Sequence, residues 1–121
     1  MLSFSEVKVN IGLESKGISS YGSVSVWIFN TWGQVCSSFW DDKSANVLCK
    51  SKKYSGGVAT VYPKTISVPV LISEYHCVGN ETSFSSCKGD NGVCYSSSVA
   101  GAICYRNSGK EMYHHIHIDI L

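Results

Sequence analysis

Apolar and polar residues alternate along the first third of the chain. Val7, Val9 and Ile11 are separated by polar residues, as in a strand with one buried face. Residues 22–29 (GSVSVWIF) alternate in the same way before becoming wholly apolar, and a second run, WGQVC, follows the polar turn at residues 30–31. Two such runs on either side of a short turn predict a β-hairpin.

Residues 41–53 (DDKSANVLCKSKK) follow a helical spacing instead. Ala45, Leu48 and Cys49 share one face at i, i+3 and i+4. One of the two aspartates at the start can cap this helix, because a carboxylate accepts hydrogen bonds from the free N–H groups of the first turn. The sequence further predicts that the glycine pair at residues 56–57 closes the element.

The rest of the chain predicts two further strands. They cover residues 69–77 (PVLISEYHC), where a proline is tolerated at the first position, and the apolar run 100–104 (AGAIC). Residues 12–22 and 78–98 are rich in Gly, Ser and Asn and predict loops. Residues 55–68 predict an irregular connection with some β character.

Cysteine usage indicates the compartment. The chain has six cysteines and no CxxC pair. Structural zinc sites and dithiol redox sites are normally built on such close pairs, so we expect three disulfides in an oxidising environment outside the cytosol. Six cysteines allow fifteen pairings, and their spacing does not choose among them. They are Cys36, Cys49, Cys77, Cys87, Cys94 and Cys104.

Length and composition indicate one small globular domain. The chain has 121 residues, of which 44% are apolar and 16% charged. A net charge of +1 supplies no field that would attract nucleic acid or an anionic membrane. No apolar stretch approaches the roughly 18 residues of a membrane span. The N-terminus lacks the basic and apolar regions of a signal peptide, so we expect this chain to be part of a larger protein or to lack its leader.

Several motifs in a fixed order point to a known family. They are residues 32–36 (WGQVC), 40–41 (WD), 45–50 (ANVLCK), 69–81 (PVLISEYHCVGNE), 85–87 (SSC) and 100–104 (AGAIC). Together they resemble the scavenger receptor cysteine-rich domain family over residues 7–105. The resemblance implies an α+β fold in which a curved β-sheet cradles one α-helix. It leaves residues 1–6 as an N-terminal flank and residues 106–121 as a C-terminal tail or linker.

The resemblance also implies a disulfide pairing and places the chain with the six-cysteine members of the family. The implied pairs are Cys36–Cys94, Cys49–Cys104 and Cys77–Cys87. Two long bridges of this kind would tie the helix and the first hairpin to the C-terminal strand. Each would stabilise the fold by roughly 4 kcal/mol in the chain-entropy model.

The best-known site of the family is a surface cluster of acids that holds calcium and, through it, anionic ligands. The resemblance places these acids at Ser37, Ser38 and Ser98, with Val99 where a further acid often stands. Calcium takes about six to eight oxygen ligands, several of them charged, and serine hydroxyls supply no charge. We therefore predict that this calcium site is absent and that the domain uses no metal or other cofactor.

Lys50, Lys52 and Lys53 stand at the end of the predicted helix, with Arg106 as a candidate neighbour. These four cations could bind a polyanion. The alternative, which we favour, is a solvated helix end whose cations complement the helix dipole. Lys52 and Lys53 also occupy positions where the family usually carries Leu-Gly, and glycine there supplies the left-handed conformation that ends a helix.

Asn80 begins the only Asn-X-Ser/Thr sequon of the chain, on the loop inside the Cys77–Cys87 ring. It is the candidate glycosylation site of a secreted protein, and the alternative is an ordinary turn residue. Glu81 matches a family glutamate and is expected to order this loop.

Catalysis finds little support in the sequence. Neither GxSxG nor HExxH occurs, and His76, the only histidine before the tail, adjoins a cysteine. His114, His115 and His117 could bind a metal, but no cysteine accompanies them, and we interpret the tail as an extension or linker. The sequence therefore predicts a domain that is not an enzyme.

These features predict an extracellular recognition module of the scavenger-receptor type, secreted or membrane-anchored. We expect it to bind protein or polyanionic ligands without calcium and to contact neither nucleic acid nor membrane itself. The alternative is a structural spacer in a larger extracellular protein, such as one that carries a protease or an amine oxidase. Other domains of a larger chain are expected in either case.

Overall fold

A computed structural model describes residues 8–11, 14–16 and 19–106 of the chain. Its elements are β1 (Lys8–Ile11), β2 (Glu14–Lys16), β3 (Ser19–Ile28), β4 (Thr31–Val35), α1 (Asp42–Ser51), β5 (Gly56–Pro63), β6 (Val70–Ile72), β7 (Glu74–His76), a 3-10 helix (Phe84–Ser86), β8 (Lys88–Asp90) and β9 (Ser98–Tyr105). The predicted α+β class is confirmed. In this described part, neither helix is long and apolar enough to cross a membrane.

Seven of these strands form one curved sheet. Its main path is β5-β9-β3-β4-β6, with β1 and β2 also paired to β3, and β4-β6 is parallel. β3 changes partners along its length: residues 19–23 pair with β9, whereas residues 24–28 pair with β1 or β4. One long strand therefore serves both halves of the sheet, which curves around α1 as the resemblance implies.

β3 and β4 form the predicted hairpin, but its turn lies one residue earlier than expected. Ile28 pairs with Thr31, so the two-residue turn is Phe29-Asn30. Both turn residues have positive φ, 56° and 63°. Two left-handed residues give a turn whose twist matches the twist of the flanking strands. Thr31 is therefore the first residue of β4 rather than part of the turn.

The predicted helix is confirmed, and the structure decides between its two candidate caps. Asp41 has an extended backbone, and its Oδ1 accepts a hydrogen bond from the Ser44 N–H at 2.9 Å. Ala45, Leu48 and Cys49 are fully buried against the sheet. Asp41 thus satisfies a free donor of the first turn, as an N-cap does.

The helix ends differently from the prediction, because the glycine pair does not close it. Lys53 adopts the left-handed conformation, with a φ of 75°. Gly56 and Gly57 instead begin β5. A Cβ on Gly57 would lie 2.1 Å from the Cys49 Sγ atom. The glycine at 57 is thus required by the close approach of β5 to a disulfide rather than by the helix end.

The predicted strand over residues 69–77 is two strands in two sheets. β6 joins β4 in the large sheet, whereas β7 pairs with β8 in a two-stranded sheet. Ser73 separates them: its N–H and its Oγ both donate to the Asp90 carbonyl, and its Oγ accepts from the Gly92 N–H. A buried serine therefore redirects the chain from one sheet to the other.

Three predicted connections contain regular structure. Residues 12–22, which the sequence predicts as a loop, contain β2 and the start of β3, because β2 pairs with residues 19–21. β5 occupies most of the segment predicted as irregular, and it lies at the edge of the large sheet. Side chains of α1 bond the outward N–H groups of this strand: Asn46 accepts from Gly57 at 3.1 Å, and Asp42 accepts from Ala59 at 2.8 Å. The helix thus covers an edge that would otherwise be open to pairing with another chain. Residues 78–98 likewise contain the 3-10 helix and β8.

The core lies between the concave face of the sheet and α1. Trp40, next to the helix cap, is buried there, and its indole Nε1 donates to the Gly101 carbonyl at 2.7 Å. The largest fully buried aliphatic side chains of the core come from β3, β4, α1, β6 and β9: Val24, Val26, Val35, Leu48, Ile72 and Val99.

Candidate recognition surface

All six cysteines form disulfides. Cys36 is bonded to Cys94, Cys49 to Cys104 and Cys77 to Cys87. These are the pairs that the resemblance implies. The first two close long segments, with sequence separations of 58 and 55 residues, and tie β4 and α1 to the C-terminal part of the domain. Such staples hold the surface loops on a rigid frame.

Three serine hydroxyls lie together, and two of them are at positions where the resemblance places the family's acids. The Oγ atom of Ser37 is 2.7 Å from that of Ser96 and 2.8 Å from that of Ser98, and Ser96 and Ser98 are 3.0 Å apart. We call these three residues the serine cluster. The Ser37 N–H donates to the Ser98 carbonyl at 3.3 Å, and Cys36 pairs with Val99 in an isolated bridge. The backbone therefore fixes the cluster.

The hydroxyls of the serine cluster bond one another and carry no charge. Ser38, the remaining acid position, lies outside it, with its Oγ 3.5 Å from the Cys36 Sγ. A calcium site needs several charged oxygens. The residues present at these positions do not fit that ion. Sequence comparison with the family pointed to Ser37 and Ser98, but Ser96 had no motif to reveal it.

A second group of residues of the types that bind metals lies close together because two of its members share a disulfide. Cys77, Glu81 and Cys87 have ligand atoms within 4.8 Å of one another. Both sulfur atoms belong to one disulfide, so neither is a thiolate that could bind a metal. The Glu81 carboxylate instead accepts hydrogen bonds from the N–H groups of Val78 at 2.8 Å and Gly79 at 2.9 Å.

These bonds perturb the acidity of Glu81. Desolvation raises the pKa of its carboxyl, but the backbone N–H donors and the nearby His76 outweigh desolvation and hold the pKa below its ordinary value. Glu81 thus orders the loop inside the Cys77–Cys87 ring. Asn80 lies on this loop with an exposed side chain, and its glycosylation stays a prediction.

The basic residues meet around the helix exit. Lys50, Lys52 and Lys53 are exposed there. The Ser55 N–H donates to the carbonyl of the last β9 residue at 2.8 Å, which brings the C-terminal strand to the helix exit. The guanidinium of Arg106 lies 4.2 Å from the ring centroid of Tyr54, a cation–π contact. The structure places Arg106 beside the helix exit, and polyanion binding there stays a prediction.

Two of the grooves on the described surface were not revealed by sequence patterns. The first has a volume of about 530 Å³ and lies between residues 64–70 and 92–97. Ile66 on one side is fully exposed, and Val93 on the other is 66% exposed. We call it the Ile66 groove. The Lys64 N–H donates to the Ser97 carbonyl at 3.0 Å and so joins its two walls.

The Ile66 groove adjoins the serine cluster, because Ser97 lines the groove and stands between two cluster residues. The second groove, of about 320 Å³, lies between Phe39 and the β7-β8 hairpin. The tail histidines His114, His115 and His117 lie outside the described residues, and so does most of each predicted flank.

The described residues form a small α+β domain that is held by three disulfides and has every cysteine bonded. The chain belongs to the scavenger receptor cysteine-rich domain family, whose model matches residues 15–105. Domains of this family are non-catalytic recognition modules of extracellular proteins and ectodomains.

Relatives and solved structures agree with this assignment. The chain is 26% identical to galectin-3-binding protein of Pongo abelii over 98 residues, which is 76% of this chain and 17% of that protein. The same protein of Rattus norvegicus is 26% identical over 96 residues, again 17% of its length. The chain thus spans about a sixth of these curated relatives.

Two solved structures share the fold with a TM-score of 0.65. One is the dimeric form of the SRCR domain of mouse MARCO, at 29% identity, covering 76% of this chain and 93% of that one. The other is the third SRCR domain of murine neurotrypsin, at 25% identity, covering 82% and 96%. The curved sheet and single helix are therefore those of the family.

Proposed function

We propose that this chain is an extracellular recognition module that binds a protein ligand without calcium. The serine cluster carries this proposal. Two of the positions where the resemblance places the family's acids, Ser37 and Ser98, bear neutral hydroxyls, which together with that of Ser96 satisfy one another at 2.7 to 3.0 Å. A cation there would lack charged ligands. Recognition at this face then depends on neutral and apolar contacts.

The Ile66 groove supports the choice of a protein ligand. Ile66 and Val93 give it exposed apolar side chains beside the exposed Lys64 and Thr65, and Tyr95 nearby in sequence is 90% exposed. Exposed apolar and aromatic side chains around a concave surface are typical of protein interaction sites. The groove also continues the face on which the serine cluster lies. A partner of complementary apolar surface could cover both.

A polyanionic ligand is the second candidate ligand. It is supported by the position of Arg106, which stacks on Tyr54 at the exit of α1, where Lys52 and Lys53 are exposed. The substitution Lys52→Gln with Lys53→Gln would then lower retention on immobilised heparin. Unchanged retention would leave these lysines as the solvated helix end that the dipole favours.

The alternative function is a structural spacer in a larger extracellular protein, such as one that carries a protease or an amine oxidase. The small share of each curated relative that the chain covers supports a multidomain parent. Reading the coding sequence on both sides for further modules, a leader or a membrane span tests this parentage.

Variants of the Ile66 groove distinguish a recognition module from a structural spacer. The domain would be presented as a tetramer to cell surfaces and extracellular matrix proteins in the presence of EDTA. We expect binding to persist in EDTA and to be lost with Ile66→Asp and Val93→Asp. Val61→Asp, at an exposed position on β5, is the matched control and should bind normally. Binding that requires calcium, or that none of these variants changes, would contradict the proposal.

Glycosylation of Asn80 is a separate prediction. Its side chain is exposed on an ordered loop, so a glycan attached there would meet no steric barrier. Secretion of the chain from eukaryotic cells should give a species whose mass falls on treatment with an N-glycosidase. Asn80→Gln should lack this mass shift. An unmodified wild-type product would show that the asparagine is an ordinary turn residue.

A further inference from the structure

Phe39 lies in a groove that the proposed function has not used. The Phe39 groove, with its volume of about 320 Å³, lies between the loop before α1 and the outward face of the β7-β8 hairpin. Phe39 forms an aromatic wall. Four charged or titratable residues of the hairpin form the other: Glu74, His76, Lys88 and Asp90.

The ring of Phe39 is held outward by a strained backbone. Its φ is 64°, and its side chain is 67% exposed. The left-handed conformation costs an L-residue about 1–2 kcal/mol, and an exposed ring gains no core packing in return. Trp40 anchors the next position, since its N–H donates to the Ser37 carbonyl at 3.1 Å and its indole to Gly101. The fold itself therefore gains nothing from a phenylalanine here.

The hairpin wall carries two carboxylates at one end. Tyr75 is buried, so its neighbours Glu74 and His76 point outward, away from the core. Asp90 lies directly opposite Glu74, and Lys88 lies opposite His76. Directly opposed residues have Cβ atoms roughly 5 Å apart, where like charges repel. Among residues 19–106, no basic nitrogen lies within 4.0 Å of either carboxylate.

We propose that the Phe39 groove binds an arginine side chain of a partner protein. This inference names the partner's chemistry for the recognition module and so rests on the proposed function. A guanidinium can stack on the Phe39 ring and donate paired hydrogen bonds to Glu74 and Asp90. Its charge relieves the repulsion between these carboxylates. Lys88 at the other end of the hairpin confines the cation to the acidic end.

A metal ion fits this groove less well than a guanidinium. Among the described residues, the only three ligand-bearing side chains within 4.8 Å of one another are Cys77, Glu81 and Cys87, which lie outside the groove. Glu74, Asp90 and His76 are therefore too widely spaced to surround an ion. A planar cation on an apolar stem can span this spacing and use the ring.

Two peptides that differ only in charge test the proposal. The backbone amides of the whole chain, labelled with nitrogen-15, would be followed by NMR as acetyl-Leu-Arg-Leu-amide is added. The matched peptide carries citrulline, which is neutral and nearly isosteric. We expect the arginine peptide to shift the amides of Phe39, Glu74 and Asp90, with a dissociation constant on the order of 1 mM. The citrulline peptide should leave them in place.

Variants show how each residue of the groove contributes to the affinity for the arginine peptide. Glu74→Gln with Asp90→Asn should weaken binding at least tenfold, and Phe39→Leu about threefold through loss of the cation–π contact. Lys88→Gln should strengthen it, because a like charge is removed. Phe39→Gly should abolish the shifts while raising the melting temperature, which separates lost binding from lost folding. Val61→Asn, at an exposed position that lines neither groove, is the control and should bind normally.

Three results would overturn the Phe39 groove as an arginine site. They are equal shifts with both peptides, shifts that avoid the groove, and a calcium titration that saturates at Glu74 and Asp90. Each leaves the recognition function intact if partner binding still depends on Ile66. Calcium bound at the serine cluster would instead contradict the recognition proposal and leave the Phe39 groove untouched.

Discussion

Four non-glycine residues of the described part have positive φ: Asn30, which tolerates the left-handed region, and three residues at positions that favour glycine. Phe29, Phe39 and Lys53 all have positive φ, between 56° and 75°, and all three side chains are exposed. The strain at each is not repaid by burial, because an exposed side chain makes few packing contacts. At Phe39 the side chain forms one wall of the groove that we propose to bind arginine. At Lys53 the resemblance had already indicated that glycine is the usual residue after the helix.

Replacing Lys53 therefore should stabilise the domain. Lys53→Gly removes the left-handed strain, partly offset by the greater freedom of glycine in the unfolded chain, for a net gain of about 0.5–1 kcal/mol. Denaturant unfolding measures this gain. Lys52→Gly is the matched control: the φ of Lys52 is −99°, so glycine there should give no gain. Equal effects at both positions would show that the gain does not come from φ.

The acidity of Glu81 predicts a dependence of stability on pH. Its folded-state pKa lies below the ordinary value of 4.5, so its contribution is present above that value and is lost as pH falls through the depressed pKa. The free energy of unfolding of the wild type should exceed that of Glu81→Gln at neutral pH, and the difference should shrink below pH 4.5.

The comparison for Glu81 is Glu74→Gln. Glu74 accepts no side-chain hydrogen bond from the backbone of the described residues and faces Asp90, so its replacement should not lower the free energy of unfolding at neutral pH. Urea unfolding from neutral to acidic pH would provide the comparison. A difference between wild type and Glu81→Gln that is constant with pH would contradict an electrostatic role for Glu81 in its loop.

At the scale of elements, the sequence pattern predicted correctly those helices and strands that interactions between near neighbours in the chain determine. The apolar face and acidic start of α1 and the alternation in β3 identified both elements. The division between β6 and β7 escaped prediction because it depends on Ser73 bonding residues 90 and 92, seventeen and nineteen positions away. β5 lacked a period-two pattern because Gly56 and Gly57 are needed for close contact with α1 and its disulfide.

The helix cap gives a test at this scale. Asp41→Ala should reduce the free energy of unfolding by about 1 kcal/mol, because the Ser44 N–H loses its acceptor. The ion pair of Asp41 with His76, at 4.0 Å and well exposed, adds little. Lys43→Ala, exposed in the same turn, is the control and should change stability by less than about 0.5 kcal/mol. A neutral Asp41→Ala would refute the assigned cap.

At the scale of the whole molecule, the domain keeps the fold of its family, and serines stand where the resemblance places the family's acids. The sequence showed the six cysteines, the helix pattern and the order of the family's motifs. Together they predicted the α+β fold of the domain. The sequence pointed to two residues of the serine cluster and to neither groove. Ser96 joins Ser37 and Ser98 through the return of the chain after Cys94, and Ile66 and Val93 line one groove from two separate loops. Such sites depend on tertiary proximity.

Calcium calorimetry tests the central claim, that this scaffold recognises its ligand without a cation, most directly. Calcium chloride would be titrated into the wild-type domain and into the variant Ser37→Asp, Ser38→Asp, Ser98→Glu, which restores charged oxygens at the family positions. We predict no saturable heat for the wild type and measurable binding for the variant. Calcium binding to the wild type with a micromolar dissociation constant would contradict the account.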